Sequence, residues 1–143
     1  MIRRAALSLL FFSFASHCYA VSLSVDLSTD RLIYHAKEPV KIALTVTNNG
    51  SADADLLFGS GQSYDIMITD KSGHDIWHWS YNKVFTMAVR NVDLPPGQGL
   101  KYAFIWKQTD NKKLPVKRGK YFIQGRLMSA EQLNSPRKTI IIK

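Results

Sequence analysis

The fold is decided by residues 58–85, which read FGSGQSYDIMITDKSGHDIWHWSYNKVF. A turn with two glycines leads into an apolar run at 66–68, and the D-K-S-G tetrapeptide at 70–73 is typical of a tight reversal. The return segment carries Trp77 and Trp79. Side chains two residues apart on a strand share a face, so both indoles are predicted to lie on one face of a β-hairpin.

Period-two alternation of apolar and polar residues continues on both sides of this hairpin. It is clearest at 23–28 and 40–47, and further strands are predicted at 54–58, 65–69, 75–80, 101–107, 120–127 and 138–142. About eight short strands with turn residues between them predict an all-β chain folded as a sandwich of two antiparallel sheets. Its core is expected to contain Trp77, Trp79, Phe104 and Trp106.

The same stretch resembles the core motif of the intracellular proteinase inhibitor (BsuPI) family. That motif runs F-x-S-G-Q-x-Y-D, an apolar strand, D-x-x-G, W-x-W-S and K-x-F. The counterparts here are Phe58, Ser60, Gly61, Gln62, Tyr64, Asp65, Asp70, Gly73, Trp77, Trp79, Ser80, Lys83 and Phe85. Later matches to the family pattern are Pro96, Gly97, Tyr102, Trp106, Gly119 and Tyr121.

The resemblance implies an immunoglobulin-like β-sandwich that inhibits a serine proteinase through a loop at one end. Candidate loops cover residues 58–63, 81–92 and 108–119, and the candidate partner contacts are Ser60, Gly61 and Gln62. The other motif residues are expected to be structural: Phe58, Tyr64, Asp65, Trp77, Trp79, Phe85, Pro96, Gly97, Trp106, Gly119 and Tyr121. Gly61 is expected to adopt a backbone conformation that a side chain would forbid.

The N-terminus has the layout of a secretory signal peptide. Arg3 and Arg4 precede an apolar run at 5–15, and small residues follow up to Ala20. Cleavage between Ala20 and Val21 would leave a single domain, 21–143, in the periplasm or outside the cell, with no stable membrane anchor. The bulky His17 before Cys18 argues against acylation of that cysteine. Because Cys18 is the only cysteine, the mature domain has no disulfide and depends on packing alone.

The chain is basic, with 19 Lys and Arg against 11 Asp and Glu and a net charge of +8. Removal of Arg3 and Arg4 with the signal peptide leaves +6. Six basic residues lie close together: Lys107, Lys112, Lys113, Lys117, Arg118 and Lys120. They could attract an acidic partner or an anionic surface, or they could be a solvated loop that protects a sheet edge. Nucleic acid is not expected as a partner, because no aromatic residues are interleaved with the basic ones.

Nothing in the sequence predicts catalysis or a cofactor. The sequence around Ser60 is not the G-x-S-x-G of a nucleophile turn, and no helix is predicted after it. His74 and His78 are four residues apart, a spacing that does not converge on a metal when it lies on a strand. The chain is therefore predicted to be a binding protein, without metal or cofactor.

Export restricts the partner, since an exported inhibitor cannot reach a cytosolic proteinase. The expected partner is an extracytoplasmic serine proteinase or another envelope protein. The alternative is a non-inhibitory immunoglobulin-like interaction module of the periplasm or cell surface, which would pair through an exposed sheet edge. Residues 138–143 are the candidate edge strand for that alternative.

Overall fold

The computed structural model describes residues 19–143, which form ten β-strands. These are β1 (Leu23–Thr29), β2 (Ile33–Tyr34), β3 (Val40–Asn48), β4 (Ala54–Phe58), β5 (Tyr64–Asp70), β6 (Asp75–His78), β7 (Arg90–Leu94), β8 (Gly99–Trp106), β9 (Gly119–Leu127) and β10 (Lys138–Ile142). The prediction of an all-β sandwich is confirmed. No helix in the described residues is long and apolar enough to cross a membrane.

The strands form one five-stranded sheet in the order β2-β10-β9-β5-β6, a three-stranded sheet in the order β1-β3-β8, and a β4-β7 pair. All pairs are antiparallel except β2 with β10, which is parallel. Because β10 lies between β2 and β9, the prediction of an open edge at 138–143 is wrong. The Lys143 N–H even donates to the Tyr34 carbonyl at 2.8 Å. With only two residues, β2 is too short to show alternation in the sequence.

The core lies between the sheets and follows the predicted alternation. Every second residue of β3 and β9 is buried. Phe104 and Trp106 are buried, as expected. Trp77 and Trp79 are half-buried and pack against the margin of the core. The expectation that they lie inside the core is therefore wrong, because β6 is the edge strand of its sheet and ends at His78.

The described residues include the predicted cleavage site but not most of the predicted signal peptide. Most of the predicted signal peptide, with Cys18, lies outside them. Ala20 and Val21 are described, and both are exposed. Cleavage between them stays a prediction.

Candidate functional site

The two ends of the sandwich carry different loops. Strand β5 runs from Tyr64 at one end to Asp70 at the other, about 20 Å away. The Tyr64 end holds residues 59–63, here called the glycine loop, and residues 81–89, called the apolar loop. The Asp70 end holds the turn between β5 and β6 and residues 107–118, called the basic loop. Most of the motif in 58–85 converges on the Tyr64 end.

Asp65 fastens the chain where β6 ends and the apolar loop begins. Its side chain is almost completely buried. One carboxylate oxygen accepts the N–H groups of Ile66, at 2.8 Å, and of Ser80, at 3.1 Å. The other accepts the Ser80 hydroxyl at 2.6 Å. The Tyr-Asp and Trp-Ser parts of the motif are thus two halves of one hydrogen-bonded clamp between neighbouring strands.

Trp79 is the surface on which the apolar loop rests. Its ring lies 4.4 Å from that of Tyr64 and 5.8 Å from that of Phe85, between ring centroids. The Lys83 ammonium sits 4.4 Å from the indole centroid, within the range of a cation–π interaction. The K-x-F part of the motif therefore folds back over the tryptophan. Burial raises the pKa of the neighbouring Tyr64, which keeps its hydroxyl neutral in this cluster.

Gly61 joins the glycine loop to the apolar loop. Its N–H donates to the Thr86 carbonyl at 2.8 Å. A Cβ added at Gly61 would lie 2.6 Å from the Thr86 hydroxyl oxygen. The φ of Gly61 is not in the left-handed region, so the expected conformational reason for this glycine is wrong. The reason is the close approach of Thr86.

Ser60 and Gln62, predicted as partner contacts together with Gly61, also bond within the glycine loop. The Ser60 hydroxyl accepts the Gln62 N–H at 3.1 Å, and the Gln62 amide donates to the Tyr64 carbonyl at 3.2 Å. These bonds stiffen the support of the apolar loop. Contact of the three residues with a partner stays a prediction.

Arg90 attaches the downstream end of the apolar loop to the glycine loop. The sequence did not predict this role. Its guanidinium lies 5.0 Å from the centroid of the Phe58 ring. It donates to the Ser63 hydroxyl at 2.9 Å and to the Ser60 carbonyl at 3.4 Å. Arg90 begins β7, a strand that the sequence did not predict, so the predicted loop at 81–92 ends at Val89.

The apolar loop presents apolar side chains to solvent although both of its ends are fastened. Val84 is 97% exposed, Met87 86% and Val89 69%. Phe85 turns inward between them and contacts Trp79. Of the two basic side chains, Arg90 is turned inward, and the exposed Lys83 lies against the Trp79 indole. The loop surface offered to a partner is therefore mainly apolar.

The later motif residues belong to the framework. Pro96 and Gly97 form the turn between β7 and β8, where Gly97 has a φ of 75°. Trp106 and Tyr121 lie in the core, and each donates a hydrogen bond to a backbone carbonyl, at 2.8 and 2.6 Å. Gly119, with a φ of 149°, begins β9.

The histidines lie in separate surroundings. His74 is 3.2 Å from Asp70 in the β5–β6 turn. His78 points to the face opposite Trp77, with one ring nitrogen 3.6 Å from Asp75 and the other 4.0 Å from Asp65. Within residues 19–143 no group of three or more potential ligand side chains could hold a metal ion.

The amino-acid sequence matches the family described as intracellular proteinase inhibitor (BsuPI) over residues 27–132. No curated protein matches it.

Solved structures share the fold, among them the following three. The chain is similar to Spo0M, a sporulation control protein from Bacillus subtilis, with 13% identity over 85% of this chain and 49% of that chain and a TM-score of 0.51. It is similar to the b-glucosidase EmGH1 from Erythrobacter marinus, with 15% identity over 86% and 16% of the two chains and a TM-score of 0.51. It is also similar to the alkylpurine DNA glycosylase AlkC from Pseudomonas fluorescens, with 11% identity over 85% and 30% and a TM-score of 0.51. The chain spans less than half the length of each, and at such identities the likeness concerns the fold alone.

Proposed function

The chain belongs to the intracellular proteinase inhibitor (BsuPI) family, and on this premise we propose that it is an exported inhibitor that binds a serine proteinase through the apolar loop. The observation that carries the proposal is the exposure of Val84, Met87 and Val89 on a loop that is held on both sides. Motif residues hold its upstream half and Thr86, and Arg90 holds its downstream end. In this role the protein is a ligand of the proteinase and catalyses no reaction itself.

The fastening supports inhibition because a loop that is already ordered loses little entropy on binding. The upstream half is held by Lys83 and Phe85 on Trp79. The Thr86 carbonyl is held by Gly61, and Arg90 follows directly after the loop. A cut beside Met87 would leave both new ends attached to the sandwich. Such a cut loop stays close to its bound geometry, which favours a lasting complex over release.

The other two candidate loops suit the role less well. The glycine loop serves as the support, with its polar groups bonded to neighbours. The basic loop lies at the opposite end of the sandwich and carries Pro115 after Leu114, which would resist cleavage there. For these reasons the apolar loop is the proposed contact, with Ser60 as an additional contact at its margin.

Export is part of the proposal and rests on the signal-peptide layout of residues 1–20. The target would then be a periplasmic or extracellular proteinase. N-terminal sequencing of the protein recovered from the periplasm and the medium tests this step. Val21 as the first residue is expected, whereas an uncleaved chain in the cytosol would remove export from the proposal.

The function is tested by titrating the chain from Val21 to Lys143 against subtilisin-like, trypsin-like and other serine proteinases. Stoichiometric loss of activity of at least one is expected. The variant Met87→Asp places a charge where an apolar contact is proposed, and should weaken inhibition by about a hundredfold, the size of a hot-spot loss. The matched control is Leu114→Asp, which changes an exposed apolar residue at the opposite end.

Two outcomes contradict the proposal at different levels. If Met87→Asp inhibits as well as the unchanged protein, the apolar loop is not the contact. If every proteinase stays active or digests the protein, inhibition itself is wrong. Circular dichroism of each variant shows whether it is folded, so a loss of inhibition that is caused by unfolding can be recognised.

A second candidate function is the non-inhibitory interaction module, and the observation that favours it is β8. Within the described residues this eight-residue strand pairs only with β3, so one of its edges is open. Ile105 is 60% exposed on it. A partner strand could add to this edge. Replacing Ala103 by Pro should abolish such pairing and leave proteinase inhibition intact, which separates the two functions.

A further inference from the structure

The basic end of the sandwich carries positive charge that the protein does not neutralise itself. Lys71, Lys117, Arg118 and Lys120 line a concavity of about 460 Å³ beside the β5–β6 turn. Lys112 and Lys113 lie in the basic loop beside it and are exposed. No ion pair within residues 19–143 includes any of these six residues.

The acidic residues of this end are already engaged with other groups. Asp70 accepts two backbone N–H groups of the β5–β6 turn and lies 3.2 Å from the His74 ring. Asp110 accepts the N–H groups of Lys112 and Leu114, at 2.8 and 2.9 Å. These carboxylates hold turns in shape and leave the lysine ammonium groups facing solvent.

Leu114 adds an apolar side chain to the basic loop, directly after Lys112 and Lys113. It is 58% exposed, at the tip of a turn that Asp110 organises and in which Lys113 has a φ of 66°. The turn is attached to the sandwich, because the Asn111 N–H donates to the Ile76 carbonyl at 3.1 Å and its side chain accepts the His78 N–H at 2.9 Å. The protein thus holds Leu114 outward in a fixed position, with lysines on its upstream side.

We propose that the basic end docks on an anionic lipid bilayer, with Leu114 inserting at the level of the headgroups. Lysine and arginine near a bilayer surface attract anionic lipids. An exposed apolar side chain among them can be buried in the bilayer, whereas a soluble anion offers no apolar environment for it. The inference does not depend on the proposed inhibition. Because the apolar loop lies at the opposite end, a docked domain would present that loop away from the membrane.

Vesicle co-sedimentation tests the docking directly. The protein is mixed with phosphatidylcholine vesicles that contain or lack about one third phosphatidylglycerol, at low salt and at about 0.5 M salt. Binding is expected only with phosphatidylglycerol and should be lost at high salt, since exposed charges are then screened. Equal binding to both kinds of vesicle, or to neither, would overturn the proposal.

Two variants separate charge from insertion. Lys112→Glu should weaken binding by tenfold or more, because about fivefold is lost for each unit of charge near the surface. Lys101→Glu, an equal change of charge on β8 near the other end, should change it by less than about threefold. Leu114→Ser should weaken binding by roughly tenfold while the salt dependence remains.

A soluble polyanion is the competing ligand, and the same experiment decides against it. Inorganic polyphosphate is added as a competitor of the phosphatidylglycerol vesicles. Vesicle binding by the Leu114→Ser variant is then compared with vesicle binding by the unchanged protein. If polyphosphate binds as tightly as the vesicles and Leu114→Ser has no effect, the surface is a polyanion site and the bilayer proposal is wrong. If Leu114→Ser binds vesicles less well and polyphosphate binds only weakly, the bilayer proposal is supported.

Discussion

The two ends of the sandwich both hold a long loop firmly, but they do so by different means. At the Tyr64 end, side chains from separate segments contact each other. Asp65 binds Ser80, Trp79 packs against Tyr64, and Arg90 donates to Ser63. At the Asp70 end, single aspartates fold their own local turns, as Asp110 does with the basic loop. At the Tyr64 end the loop is fixed by tertiary side-chain contacts. At the Asp70 end local hydrogen bonds shape the turn itself, and Asn111 attaches it to β6.

This difference explains where the sequence motif lies. A loop held by contacts between distant segments needs particular residues in each of them, which yields an ordered pattern across 58–85. A locally held turn needs one aspartate and a few backbone groups, so its neighbours are free to be lysines or an exposed leucine. Substitutions at the Tyr64 end should therefore cost more stability than substitutions at the Asp70 end.

The largest effect is expected from Trp79→Ala. The indole packs against Tyr64, Phe85 and Phe104, and its loss should lower the free energy of unfolding by about 4 kcal/mol. Trp77→Ala is the matched control on the same face of the hairpin, and should cost about 2 kcal/mol because Trp77 makes none of these ring contacts. Urea unfolding measures both. Equal losses would mean that Trp79 has no special part in holding the apolar loop.

The next effect compares the two ends directly through their aspartates. Asp65→Ala removes the acceptor of three hydrogen bonds and leaves the Ser80 groups without it, so a loss of about 3 kcal/mol is expected. Asp110→Ala removes an acceptor of two backbone bonds in a solvated loop, for which about 1 kcal/mol is expected. Chemical denaturation measures both losses of unfolding free energy. A larger loss for Asp110→Ala than for Asp65→Ala would contradict the expected difference between the two ends.

The strong period-two segments explain how much of this fold the sequence could predict. Strand β3 alternates cleanly because one of its faces is buried. The β5–β6 hairpin was predictable from its apolar run, its turn residues and its spaced tryptophans. Strand β7 carries polar residues at Arg90, Asn91 and Asp93, so it has the composition of a loop. Strand β2 has two residues, too few for any period.

The candidate site was predictable only as a set of residues. The motif pointed to Asp65 and Trp79, but the sequence does not show that Ser80 is the partner of Asp65 or that Phe85 turns inward while Val84 turns outward. Those relations depend on how two loops meet in space. Arg90 carried no signal, because it stands outside the motif and in an unpredicted strand.

A smaller effect tests whether the glycine loop and the apolar loop are coupled. Gly61→Ala places a Cβ against the Thr86 hydroxyl, so the free energy of unfolding should fall by about 1 kcal/mol. Thr86→Ala removes that hydroxyl, and the double variant should recover most of the loss. A double-mutant cycle from urea unfolding measures the coupling. Additive losses would show that the two loops do not depend on this contact.

The smallest effect concerns pH and lies at the Asp70 end, where Lys41 pairs with Ile105 next to the basic loop. The Tyr34 hydroxyl, which donates to Asp30, and the Lys41 N–H lower the pKa of Asp30 below 3.8. A carboxylate with a lowered folded-state pKa stabilises the fold above its unfolded pKa, and this contribution is lost as the pH falls through the folded value. Asp30→Asn removes the titrating group.

Melting temperatures of the unchanged protein and of Asp30→Asn, followed from about pH 6 to about pH 2, measure this contribution. The unchanged protein should be the more stable at pH 6, and the difference should shrink as the pH falls below about 4. Asp26→Asn, on the exposed face of β1, is the control for loss of one negative charge. A constant difference for Asp30→Asn would mean that its hydrogen bonds, and not its ionisation, stabilise this end. The Asp70 end would then share with the Tyr64 end a dependence on geometry rather than on charge.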